Sequence, residues 1–153
     1  MAASVKISTH THTHPPTSAP LRCNHAQESP KVVAYDAFSK EHLDTLAAAC
    51  KAIGGADMAA INDLVAGAWA AQRAFLVTAS QCKKPADKLA VMKASGVVDA
   101  CGAANKAIKR GDFELHYKMV AEGLGSLNWL MIEPKPREII ENQIGSADFH
   151  GNK

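Results

Sequence analysis

No apolar run in this sequence approaches the ~20 residues needed to span a bilayer, and the N-terminus lacks the apolar core of a secretory signal. The expectation is a cytoplasmic protein with no membrane insertion. Charge of one sign is also missing: the formal net charge is +2 with acids and bases interspersed, so no global field attracts nucleic acid or an anionic membrane. Any electrostatic partner must meet a local patch. The four cysteines, Cys23, Cys50, Cys82 and Cys101, form neither a CxxC pair nor a dense framework, and they read as reduced thiols. Aromatics are only 5% and β-branched residues are scattered, so little favours strands.

Catalytic signatures are absent as well. HExxH, GxSxG and Walker A patterns do not occur, and "GLGSLN" (123–128) imitates a dinucleotide fingerprint only loosely, with no strand before it. It reads as a helix interruption. Four of the seven histidines, including the run "HTHTH" (10–14), lie before residue 26 with no acidic or cysteine partners nearby, so no metal centre is assigned to them. His42 and His116 are each single on a helix and read as surface residues. Cys82 lies at a helix C-terminus, which opposes a reactive thiolate. No cofactor and no enzyme activity are expected.

What is present is one domain's length, 153 residues, with 47% apolar content and many alanines, a composition that favours helix. Residues 1–31 are rich in Ser, Thr, His and Pro and read as a disordered tail. The helical body occupies 32–153. Ser39 is a candidate N-cap for a stripe of Leu43, Leu46, Ala47, Cys50 and Ile53, ended by Gly54 and Gly55. The clearest stripe follows: Ile61, Leu64, Val65, Ala68, Gln72, Phe75, Leu76 and Ala79, with Trp69 beside it to pack on a neighbouring helix.

A third stripe, Leu89, Met92, Gly96, Ala100, Cys101, Ala104 and Ile108, predicts one helix kinked near Ser95 and Gly96. "KRGD" (109–112) is a turn carrying a stop and an N-cap. Phe113, Tyr117, Val120, Leu124, Leu127 and Met131 form the next stripe, on which Trp129 is expected in the core. A last amphipathic piece covers 137–144. The class is all-α, and short connections predict an up-and-down antiparallel bundle.

Two proline-bounded turns, "SQCKKP" (80–85) and "EPKP" (133–136), hold cations at helix ends. Both are accounted for as helix terminators, since cations complement the C-terminal dipole and proline suits a new first turn. Turns of this kind also lose little entropy on binding, which suits recognition of an acidic protein surface.

"AQRAFLVTASQCKKP" (71–85) and "NWLMIEPKP" (128–136) resemble the N-terminal helical domain of cyclase-associated protein. "YDAF" (35–38), "IGG" (53–55), "AEGL" (121–124) and "SADFHGNK" (146–153) are similar to further elements of that family, in family order. The resemblance implies a six-helix antiparallel bundle in the actin cytoskeleton. It would bind actin and act with cofilin-decorated filaments to promote pointed-end disassembly and monomer recycling. It supports the region of the two turns as the contact surface, within which Gln81, Lys83, Lys84, Glu133, Lys135 and Arg137 are the expected contact residues, with the cations facing acidic groups on actin. The alternative is a helical signalling scaffold that binds adenylyl cyclase or another regulatory protein; a homodimer is a further association. The tail shows no coiled-coil heptads, and the last helix is expected to stop about two turns short of the family's.

Overall fold

The computed structural model describes residues 28–83, 87–131 and 135–153, and every regular element among them is a helix. The tail read as disordered, with its histidine run, lies outside them apart from residues 28–31. Helix α1 spans Pro30–Ile53 and α2 Gly55–Gln81. Pro30 occupies the first turn of α1, where a missing N–H costs nothing, and the Ser29 carbonyl accepts from the Val32 and Val33 amides at 2.8 and 3.1 Å. This start overrides the expected cap: Ser39 sits in the helix interior. Gly54 and Gly55, at φ 76° and 88°, form the hinge to α2, a conformation that costs an L-residue a Cβ clash.

Helix α1 packs on α2 through aromatic and ionic contacts. The Trp69 ring stacks on Tyr35 and Phe38 with centroids 5.5 and 5.8 Å away, and the Tyr35 hydroxyl donates to the Trp69 carbonyl at 3.0 Å. One turn further along α2, the Arg73 guanidinium donates to both Asp36 oxygens at 2.7 Å and to Glu28 at 2.8 Å. Only Val32 and Cys50 of α1 are buried. Ile53, expected within the buried stripe, is 59% exposed because the apolar arc of α1 is wider than its contact with α2.

The core lies where α2 meets the later helices. Met58, Ile61, Val65 and Ala68 pack with Val97, Cys101 and Ala104, and with Tyr117, Val120, Ala121, Leu124 and Leu127. Each large aliphatic side chain buried there contributes about 1.5–3 kcal/mol relative to exposure.

The third stripe forms two helices rather than one kinked helix: α3 at Lys88–Ala94 and α4 at Val97–Lys106. Gly96 is left-handed, at φ 79°, which ends one helix and starts the other. Helix α5 spans Glu114–Gly125. Its N-cap is Phe113, which has no side-chain acceptor, so the cap expected within "KRGD" is not made. After Gly125 the chain tightens into a 3-10 helix, Ser126–Met131, so at "GLGSLN" (123–128), where the sequence predicted a helix interruption, α geometry gives way to 3-10. Trp129 lies in that segment and is half-buried rather than part of the central core.

Helix α6 spans Pro136–Gly151, about two turns beyond the expected 137–144, and none of its residues is fully buried. It is held on α5 by close approach. A Cβ at Gly123 would stand 3.9 Å from the Ala147 methyl, one at Gly151 3.1 Å from the Met119 sulfur, and one at Gly125 2.7 Å from the Gln143 amide.

Candidate functional site

The "SQCKKP" turn arises because α2 runs out of its buried stripe. Beyond Phe75 the α2 residues Thr78, Ala79, Ser80 and Gln81 are exposed, and Cys82 leaves helical conformation at φ −114°, ψ 154° while its amide still donates to the Thr78 carbonyl. Gln81 is thus the last residue of α2, and Lys83 follows it as an exposed cation. Lys84 lies outside the described residues. Asp87, after the turn, accepts the Ala90 amide at 3.0 Å and so caps the start of α3.

At the second turn, Glu133 lies outside the described residues. Lys135 precedes α6 and Arg137 sits in its first turn, with Pro136 between them. Both cations are exposed and matched within their own helix: Lys135 Nζ to Glu138 at 2.6 Å, and Arg137 Nε to Glu141 at 2.7 Å. Such exposed pairs are weak and open readily to an external acid, which leaves both cations able to exchange partners. Among the described residues, no hydrogen bond or ion pair joins Gln81 or Lys83 to Lys135 or Arg137. The link between the two turns is indirect: α3, which follows the first, and α6, which follows the second, both pack against the 3-10 helix.

The tertiary structure adds two features that the sequence did not reveal. One is the cluster of Tyr35, Phe38, His42 and Trp69, with the Phe38 and His42 rings 4.3 Å apart and Phe38 51% exposed. Burial pushes the Tyr35 hydroxyl up to about 12. The other is a groove of about 230 Å³ between α2 and α3, lined by Ala74, Phe75, Thr78, Val91, Ala94 and Ser95.

Away from these surfaces, Asp57 ties the start of α2 to the far side of the domain. It pairs with Lys109 and accepts the Tyr117 hydroxyl at 2.9 Å, and the Lys109 and Tyr117 bonds together hold its carboxyl below the usual range. Burial first, then the bond to Asp57, raises the Tyr117 phenol. His42 and His116 are exposed, as expected. Among the described residues, no group of three His, Cys, Asp or Glu side chains is placed to hold a metal ion. Nor is any described helix long and apolar enough to cross a membrane.

The geometry defines an all-helical domain with cations displayed at helix ends. The chain belongs to the family described as "CAP, N-terminal domain", whose model matches residues 35–153. It is 26% identical to adenylyl cyclase-associated protein 2 of Rattus norvegicus over 82% of this chain and 27% of that protein. It is 29% identical to adenylyl cyclase-associated protein 1 of Macaca fascicularis, over 84% and 27% respectively. Cyclase-associated protein 1 of Arabidopsis thaliana is 28% identical over 84% of this chain and 28% of its own length. The chain therefore spans about a quarter of the curated relatives it matches. No solved structure gives a significant match.

Proposed function

We propose that this domain is an actin-binding module that works with cofilin at filament pointed ends to promote disassembly and monomer recycling, without enzymatic chemistry. The observation that carries this reading is membership of the cyclase-associated protein family across residues 35–153, which includes both proline-bounded turns. The contact surface comprises Gln81, Lys83, Lys84, Glu133, Lys135 and Arg137, with the cations directed at acidic groups on actin. Residues 32–153 form the family's six-helix antiparallel bundle and act in the cytoplasm. The domain would speed dissociation by binding the departing arrangement of the terminal subunits more tightly than the intact filament end.

Lys83→Ala combined with Lys84→Ala is expected to slow pointed-end loss from cofilin-decorated filaments while leaving helical circular dichroism unchanged. Imaging of single filaments measures this directly, and unaltered loss in the double variant would sink the surface assignment. A second reading follows from the relatives' names: a helical scaffold that binds adenylyl cyclase. It predicts no change in pointed-end loss on adding the wild-type domain, with or without cofilin. A homodimer is compatible with either reading, and sedimentation would detect it.

A further inference from the structure

We infer that α1 is a detachable strap. It comes away from α2 as one unit, hinged at Gly54 and Gly55, while α2, α4 and α5 stay folded together, and this opening frees Trp69 and Arg73 from their α1 partners. The inference goes beyond the actin reading and does not rest on it.

The core closes without α1. Among the described helices, α1 packs extensively on α2 alone, whereas α2, α4 and α5 each pack on the other two. The buried core cluster draws its described members from α2, α4, α5 and the 3-10 helix, and from α1 it takes only Cys50. Leu43 and Leu46 reach that cluster partly buried, and Val32 is buried apart from it. Val33, Phe38 and Ile53 stay more than half exposed, so α1 removes little apolar surface from water for a helix of 24 residues. Segments with few buried apolar contacts open at lower cost than the core that carries them.

Water can replace much of what else holds α1. The side chains of Arg73, Asp36 and Glu28 are each at least a third exposed, and ion pairs of that kind contribute little. The bond from the Tyr35 hydroxyl to the Trp69 carbonyl is partly buried, and both groups regain water on opening. The stacking of Tyr35 and Phe38 on Trp69 is the apolar part of this contact. At the hinge, Gly54 and Gly55 sit at φ 76° and 88°, and a Cβ at Gly55 would meet nothing within 4 Å, so the backbone there turns freely. Helices draw most of their stability from tertiary packing, so a detached α1 frays and exposes its amides.

Two cysteines test this. Cys50 on α1 and Cys101 on α4 are both free and each 7% exposed, so a closed structure shields them alike. In the folded full chain, pulsed alkylation with iodoacetamide, read by peptide mass mapping, is expected to modify Cys50 at least tenfold faster than Cys101. The Cys50 rate should also depend less on urea, because detachment of α1 exposes less surface than global unfolding. That slope is the deciding readout, since burial raises the Cys101 thiol and slows its alkylation for a second reason. Amide exchange should run at least tenfold faster at residues 35–50 than at residues 117–124. Leu127→Val weakens the core at the 3-10 helix, which packs on α3, α4, α5 and α6, and should speed exchange in α5 while leaving α1 unchanged. Equal urea slopes for the two cysteines, or α1 and α5 amides that speed up together in Leu127→Val, would make the domain one cooperative unit and overturn the strap. Cys50 and α1 amides as reactive as in the unfolded chain overturn it too, because α1 would then not be docked. The wild-type cysteine slopes decide between these outcomes even if the variant does not fold.

Discussion

Gly96 shows how much one residue decides. Its left-handed backbone divides a single apolar stripe into α3 and α4, and an added Cβ there would meet only the Ala71 methyl at 4.0 Å, an ordinary contact. The cost of substitution is therefore conformational rather than steric. Gly96→Ala should destabilise the domain by about 1–2 kcal/mol, read as a lower urea midpoint with unchanged slope. Loss of stability below about 0.3 kcal/mol would show that α3 and α4 can join as one helix at little expense. Gln72 is the complementary case. Its place on the α2 stripe was visible in the sequence, and it is 1% exposed, but its polarity gave no hint of such burial.

Among the helices, α6 depends most on shape. With no fully buried residue of its own, it is held by small residues of α5 that let the two backbones approach. At Gly125 a methyl group would meet the Gln143 amide at 2.7 Å, and that amide, oriented to donate to the Glu122 carbonyl at 2.8 Å, would have to leave its partner. Gly125→Ala alone is thus expected to cost about 1–3 kcal/mol despite alanine's better helix propensity. Adding Gln143→Ala should recover most of that loss, giving a favourable coupling in a double-mutant cycle. Additive effects would mean that the two side chains do not compete for the same space. The sequence marked Gly123 and Gly125 as interruptions of a helix; their use as a contact surface depends on α6 lying across them.

At the scale of the whole molecule, three cross-links set the pH range of stability. The Arg73 fork to Asp36 joins α1 to α2, Lys109 and Tyr117 hold Asp57 at the start of α2, and Tyr35 bonds to the Trp69 carbonyl. The Asp36 carboxyl lies below its usual range, first through the Arg73 hydrogen bond, and Asp57 likewise through Lys109 and Tyr117. Their contribution is present above the unfolded value of about 4 and is lost as pH falls through the lower folded values. The tyrosines act oppositely. Burial raises Tyr117 and pushes Tyr35 up to about 12, so their contribution is complete below about pH 10 and fades as pH rises through the folded values. These are the chain's two tyrosines, so ultraviolet titration of the native protein should show little tyrosinate near pH 10, where a free phenol is half ionised. Half-ionisation near pH 10 would contradict the burial of Tyr117 and the partial burial of Tyr35.

The sequence by itself determined the helical class and the inward faces of the central helices: Ile61, Val65, Ala68, Cys101, Ala104, Tyr117, Val120, Leu124 and Leu127 were all legible, because a 3.6-residue period needs only a single buried side to be visible. It also marked both cation-bearing turns, since proline and lysine punctuate helices locally. Only the tertiary structure decided what each helix has for neighbours. That is why Ile53 is exposed, Trp129 is half-buried and α6 docks without burying a residue. The groove between α2 and α3 belongs to this second kind of information. Its walls come from two helices, and the turn between α3 and α4 at its end depends on the backbone angle of Gly96, which hydrophobic periodicity does not record.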